Sequence, residues 1–279
     1  MSKEGKYLLS KFDSDRLDIE EISNLSLFLY SRLLSVLAKN PIGEVIGVHV
    51  YSYSKVNELI EIIETDNFIQ SSNTFGKLYV HNDAFCLVPN HLFDPSHKEQ
   101  YLNFTTEVDP DQMEIFYENI PGSEIQAIGS LSLDILKKFE ESLPDLEIIP
   151  GVVFPLSFLI NPDTVFEDQE IFVFPIPDHI YIAAFSLGTL VFFNSFKVGT
   201  ENDLIKYTLT VTQQLGFDQE STKVSIMGDL SHVQSSEGVL SPYFTTVTTE
   251  MPPEKITYSP DHALGDFKKT MLLEAYWTI

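Results

Sequence analysis

The chain has 279 residues and a formal net charge of −24, from 17 Lys and Arg against 41 Asp and Glu. With 43% hydrophobic residues and a mean hydropathy of +0.01 it has the composition of a globular protein, and at about 100–200 residues per domain its length predicts two domains. The charge repels phosphate backbones and anionic lipid surfaces, and the only arginines, Arg16 and Arg32, leave almost no bidentate phosphate clamps, so no nucleic-acid partner is expected.

The opening residues lack the long apolar run of a secretory signal. The longest apolar passages, 154–160 and 180–185, fall short of the roughly 18 residues a spanning helix needs, so a cytoplasmic protein with no membrane span is expected. Cys86 is the single cysteine; it cannot form an internal disulfide and reads as a core thiol.

In chain order, residues 1–22 are charged and weakly periodic, and read as an N-terminal arm. Residues 25–30 and 33–37 predict two strands joined at Ser31-Arg32, and residues 44–51 a third after the Asn40-Pro41 and Gly43 breaks. Ser54 stands where an N-cap belongs, ahead of Val56, Leu59, Ile60 and Ile63, the spacing that lays one apolar stripe along a helix. Strands at 77–80 and 84–89 flank the turn His81-Asn82-Asp83, and Asp94-Pro95 opens a helix toward Tyr101 and Leu102. Ser132 precedes a further helix through Ile135, Leu136, Phe139 and Leu143, stopped by Pro144, while residues 145–160 fit no single pattern.

A polar, acidic passage from Asn161-Pro162-Asp163 to Glu170 places the boundary between a first lobe, 23–165, and a second, 166–279. Strands follow at 171–174, 180–185 and 190–196, the last two joined through Ser186-Leu187-Gly188-Thr189. Thr200 caps a helix that ends at Gly216, a buried strand at 223–227 ends in Gly228-Asp229, a short helical stretch lies near Leu240, residues 245–249 are β-rich, and a final helix spans 264–277. Both lobes therefore read strand, strand, helix, strand, with the same offset from helix start to the next strand, which points to a duplication.

The run Ala84-Phe85-Cys86-Leu87-Val88-Pro89-Asn90-His91-Leu92-Phe93-Asp94, followed by Tyr101-Leu102-Asn103-Phe104, resembles the signature of the bacterial family catalogued as domain of unknown function 3822. The second lobe agrees: Asn194-Ser195-Phe196 after a strand, an amphipathic helix from Asp203 to Gly216, and Ser225-Ile226-Met227-Gly228-Asp229. The resemblance covers the chain from about Leu25 onward. It implies an α/β, duplicated actin-like (ribonuclease H-like) fold, as in the actin, sugar-kinase and heat-shock-chaperone ATPases, with two lobes each built on a mixed sheet flanked by helices. It implies no known reaction.

An ATPase of that kind holds nucleotide with a strand hairpin in each lobe, whose Asp-x-Gly turn brings backbone amides to the phosphates and a carboxylate to the metal. The corresponding turns are expected at Tyr30-Ser31-Arg32 and Phe185-Ser186-Leu187-Gly188, and neither holds the aspartate. If ATP and Mg²⁺ bind at all, the candidate contacts are Arg32, Gly188, Gly228 and Asp229; otherwise no cofactor is expected. The chain has no Gly-x-x-x-x-Gly-Lys-Ser/Thr loop, no Gly-x-Gly-x-x-Gly and no Gly-x-Ser-x-Gly. His81, Asp83, His91, Asp94 and His97 match no zinc spacing, and Asp94 is better explained as a cap. The favoured expectation is a non-catalytic protein that acts by binding another protein or itself; Tyr276 and Trp277 offer one place for an interface, although their burial in the second lobe is the favoured reading, and the alternative function is a kinase or ATPase with divergent loops.

Overall fold

The computed structural model describes residues 6–15, 17–71, 75–161, 165–236, 238–250, 256–260, 262–270 and 272–276. Arg16, Pro162-Asp163 and Trp277 lie outside the described residues. The chain forms two units: the first runs to Asn161 and resumes for a stretch ending at Lys269, and the second holds the chain between, which the residues from Thr270 rejoin.

The first unit contains β1 (Leu8–Asp13), β2 (Asn24–Leu29), β3 (Leu33–Lys39), β4 (Val45–Ser52), α1 (Val56–Thr65), β5 (Phe75–Val80), β6 (Phe85–Pro89), α2 (Lys98–Asn103), β7 (Met113–Asn119), β8 (Ile125–Ser132), α3 (Leu133–Ser142), β9 (Leu146–Pro150) and α4 (Val153–Leu159). Its main sheet has the order β1-β4-β3-β2-β5-β9, with β2, β3 and β4 an antiparallel meander and β2, β5 and β9 parallel.

Alternation decides which side chains go where. Leu25, Leu27 and Leu29 of β2 join Leu59, Ile62 and Ile63 of α1 and Leu136 and Phe139 of α3 in one core. Phe28 points to the opposite face, where it stacks on Tyr79 at 4.7 Å and meets the edge of Phe154 of α4 at 5.5 Å. On that same face α6 (His262–Lys268) brings Phe267 to within 5.5 Å of Phe12.

Residues 8–13 are not part of an arm. They form β1, which pairs antiparallel with β4 along the outer edge of the meander. The two strands read from 77–80 and 84–89 are β5 and β6, but they belong to different sheets. β6 joins β8 and β7 in a second sheet of order β6-β8-β7, with a small core of Cys86, Val88, Leu102, Ile115 and Ile128 under α2. Cys86 is buried there, and burial pushes its thiol up to about 12.

The second unit contains β10 (Gln169–Ile176), β11 (His179–Ser186), β12 (Thr189–Lys197), α5 (Glu201–Leu215), β13 (Lys223–Met227) and β14 (Thr246–Glu250). Its order is β12-β11-β10-β13-β14, with β10, β11 and β12 antiparallel and β10, β13 and β14 parallel. This repeats β4-β3-β2-β5-β9 strand for strand, with α5 in the place of α1, so the fold is a duplication. Thr200 caps α5 as expected, and does so in a capping box: its amide donates to Asp203 Oδ2 at 3.0 Å, and Gly216 closes the helix at φ 68°.

Three local expectations are corrected. Ser54 does not cap α1: Lys55 holds the cap position, and it is the Ser54 amide that donates, to Glu58 Oε2 at 2.7 Å. The stretch near Leu240 is a set of turns rather than a helix. The C-terminal helix ends at Lys268, and Leu273–Ala275 form a separate 3-10 turn.

Candidate functional site

In open α/β sheets ligands bind beyond the carboxyl ends of the parallel strands. In the first unit these ends are Tyr30 after β2, His81 after β5 and Gly151 after β9. They are laced together by the main chain: the His81 amide donates to the Leu29 carbonyl and the Gly151 amide to the Val80 carbonyl, each at 2.8 Å.

The His81 ring stacks on Tyr30 with centroids 4.5 Å apart, and both residues are buried. A Cβ at position 151 would lie 2.5 Å from the His81 ring, so glycine is required for this close approach. Burial pushes the His81 imidazole down to about 3, which leaves it neutral at physiological pH. The Tyr30 carbonyl accepts from the Tyr53 hydroxyl, and the Arg32 carbonyl accepts from the Tyr53 amide at 3.0 Å. The turn is thereby held from behind, with Ser31 and Arg32 exposed at its tip.

In the second unit the equivalent turn is the one between β10 and β11, not the one between β11 and β12. It consists of Pro177 and Asp178, the latter at φ 64°, the pairing a type II turn requires. Gly228 (φ 129°) and Asp229 follow β13, which is parallel to β10, and so lie at the same end of the sheet as Asp178. Asp229 caps a 3-10 turn by accepting from the Ser231 amide at 2.8 Å. Burial opposes ionisation of its carboxyl, but the Ser231 hydrogen bonds outweigh it and hold the pKa below the usual range.

Gly188 lies at the other end. Leu187 (φ 50°) and Gly188 (φ 75°) make the two-residue turn of the β11–β12 hairpin, whose strands demand positive φ at both positions. That turn geometry accounts for Gly188. Of the four residues picked from the sequence, Gly228 and Asp229 stand together, Gly188 stands apart from them in the same unit, and Arg32 belongs to the first unit. Asp178 was missed, although its signal is present: a Pro-Asp pair between two apolar runs.

Among the described residues no group of three or more His, Cys, Asp and Glu is placed to hold a metal ion. Asp94 caps a 3-10 turn through the Ser96 amide at 2.9 Å. Also among the described residues, no helix is long and apolar enough to cross a membrane.

A polar cluster that sequence reasoning did not single out lies under the β1–β4 edge. His49 of β4 is 2% exposed and stacks on Phe68 at 3.9 Å. Its Nδ1 is 2.6 Å from Asp66 Oδ2, which also accepts from the Tyr51 hydroxyl at 2.6 Å, while Asp66 Oδ1 accepts from the amides of Phe68 and Ile69. Asp13 of β1 approaches His49 Nε2 at 3.4 Å, an ion-pair distance without hydrogen-bond alignment. Burial works against the imidazolium, but the two carboxylates outweigh it and raise the His49 pKa.

The family model described as "Protein of unknown function (DUF3822)" matches residues 14–247. Among curated proteins none matches the sequence. Among solved structures, a Bacteroides thetaiotaomicron protein with actin-like ATPase fold and unknown function superposes with a TM-score of 0.73 at 20% identity, covering 84% of this chain and 93% of that one. A chain of the PilM–PilN type IV pilus biogenesis complex superposes at 0.58 and 9% identity, covering 92% and 96%. Strand order, duplication and matched length agree: the chain belongs to the DUF3822 family of proteins of unknown function and has the actin-like ATPase fold.

Proposed function

We propose that the protein is a cytoplasmic, non-catalytic member of the actin-like fold that acts by binding another protein or itself. The observation that carries this reading is the chemistry of the two equivalent turns, Tyr30-Ser31-Arg32 and Pro177-Asp178. A phosphate-cradling turn presents successive free backbone amides, usually from glycine. Here neither turn contains glycine, the Tyr30 amide is spent on the Leu33 carbonyl at 2.8 Å, and Pro177 has no amide to give. The charge of −24 adds a field that opposes a polyphosphate. A neighbour of the same fold belongs to a PilM–PilN complex, which is consistent with a binding role.

One observation favours a divergent nucleotide-dependent kinase or ATPase instead: Asp178, Gly228 and Asp229 share the carboxyl end of the second sheet, where a carboxylate would face Mg²⁺. A thermal-shift titration with ATP and Mg²⁺ separates the readings. A ligand at 100 times its dissociation constant adds ~2.7 kcal/mol of stability. No shift is expected, and a saturable one overturns the non-catalytic reading.

A further inference from the structure

The β6-β8-β7 sheet and α2 are inserted between β5 and β9 of the first repeat, where the second repeat has no sheet among its described residues. One face of this small sheet is spent inside the unit: Phe116 of β7 and Leu131 of β8 join the core of the main sheet. The outward face is covered by α2, a helix of six residues that buries only Leu102.

Around α2 the apolar surface stays open. Phe93 and Tyr101 are half-buried at the rim of the small core, and the Phe93 ring lies 5.9 Å from that of Tyr101 and 4.9 Å from that of Tyr117. Outside this rim stand Leu92 at 60% exposure, Tyr117 at 41% and Phe104 at 87%. Phe104 follows Tyr101 by one helical turn, its amide donating to the Tyr101 carbonyl at 3.2 Å, so the two side chains leave the same side of the helix. Single apolar residues scattered over a surface are ordinary; a joined set of five is not. The set is also held in place. The Tyr101 hydroxyl donates to the Leu92 carbonyl at 2.6 Å and accepts from the Asp94 amide at 3.1 Å, which pins the 90–94 loop to α2. A surface ordered beforehand gives up little conformational freedom when it is covered.

The charge around the set selects its occupant. Residues 85–132 hold eight Asp and Glu against one Lys and no Arg, and that lysine, Lys98, is engaged by Glu114 Oε1 at 3.4 Å and by the Ile115 carbonyl. Glu99 on α2, and Glu107, Asp109 and Asp111 in the segment after Phe104, are exposed and have no cationic partner among the described residues. The Val108 amide donates to the Asn103 side chain at 3.0 Å, which keeps Phe104 and Glu107 in one short loop. We infer that this face docks a basic, amphipathic segment of another protein, with its apolar side chains on Leu92, Tyr101 and Phe104 and its lysines or arginines among the carboxylates. A second copy of the chain is a poor occupant, because at −24 it brings the same sign of charge, and nucleic acid and anionic membranes are repelled for the same reason.

The inference rests on the binding reading above and gives it a surface and a kind of partner. The probe is a short fluorescein-labelled peptide with leucines and lysines at helical amphipathic spacing, titrated against the full chain by anisotropy. One saturable site is expected, with an affinity that falls as salt rises. Phe104→Ser and Leu92→Ser, both at exposed positions that the fold does not need, should each weaken binding about tenfold, and Glu107→Gln with Asp109→Asn should flatten the salt dependence. Two controls on other parts of the chain, Leu187→Ser in the β11–β12 turn and Glu20→Gln with Glu21→Gln, should leave binding unchanged. No saturable binding, equal losses in the patch and control variants, or a dimer of the chain that Phe104→Ser abolishes would overturn the inference. A peptide bound elsewhere on the chain overturns this surface and leaves the binding reading standing, whereas stabilisation by ATP tells against that reading alone.

Discussion

The two repeats share strand order and helix position, yet they bury their ionisable groups in different places and finish their edges differently. In the first, His49 of β4 and Asp13 of β1 meet each other and Asp66, which caps the end of α1, contacts His49. In the second, Glu170 at the start of β10 is buried at 1% exposure and bonded to Lys223 Nζ and Ser225 Oγ at 2.9 Å each. The connection from the fourth to the fifth strand differs as well: β6 to α3 fill it in the first repeat, while between β13 and β14 the described residues form only a short 3-10 turn and turns. The shared part is the apolar alternation, and the polar networks are local additions to it. A fold of this kind is specified by which side chains face inward, and each copy is free to acquire its own charges.

That separation can be tested by breaking each network. Asp66→Ala should have the largest effect, about 3–5 kcal/mol in a urea melt, because it leaves His49 facing a cavity and strips partners from Tyr51 and the amides of Phe68 and Ile69. Lys223→Met should cost about 2–3 kcal/mol: it uncovers the Glu170 carboxylate, but Ser225 and the Glu167 amide still hold that group. Hydrogen exchange should place the first loss in the first unit and the second loss in the second; global loss in both would make the networks common to the whole fold.

The smallest effect expected is on pH dependence. The folded-state pKa of His49 is raised, so its contribution is fully present below the unfolded value near 6.5 and is lost as pH rises through the folded value. The thermal midpoint should therefore decline as pH rises above about 6.5, and His49→Gln should flatten that decline. The Asp13 carboxyl runs the other way. Burial raises its pKa, but the neighbouring His49 and Lys11 cations win and lower it, so its contribution is present above about 3.8 and disappears in acid.

Most of the main-sheet strands and the longer helices could be read from the residues because their patterns are strong. β10 and β11 are nearly continuous apolar runs, and α5 carries both a capping box and a left-handed glycine. β1 could not be read this way. As an edge strand it has Leu9 at 59% exposure and charges at Lys11 and Asp13, so its alternation is blurred. β9 and α4 escaped because Pro150 ends one element and Pro155 sits in the first turn of the next, where proline is tolerated but reads as a break.

The candidate site was half legible. Gly228-Asp229 ends a buried strand as expected, whereas Gly188 attracted notice as a glycine although hairpin geometry is what demands it. The equivalent turn depends on strand pairing, which local pattern does not encode. His49 gave no signal because it alternates with valines in a strand that is otherwise apolar.

The threading of the chain has a consequence for synthesis. The helix that seats Phe267 on Phe12, and the Thr257 and Ser259 contacts that extend the β4 edge, come from residues translated after nearly all of the second unit. The first repeat therefore leaves the ribosome with one face of β1 and β4 uncovered until the residues from Thr257 to Phe267 have been made, so a nascent chain halted after the second repeat carries an unfinished first one.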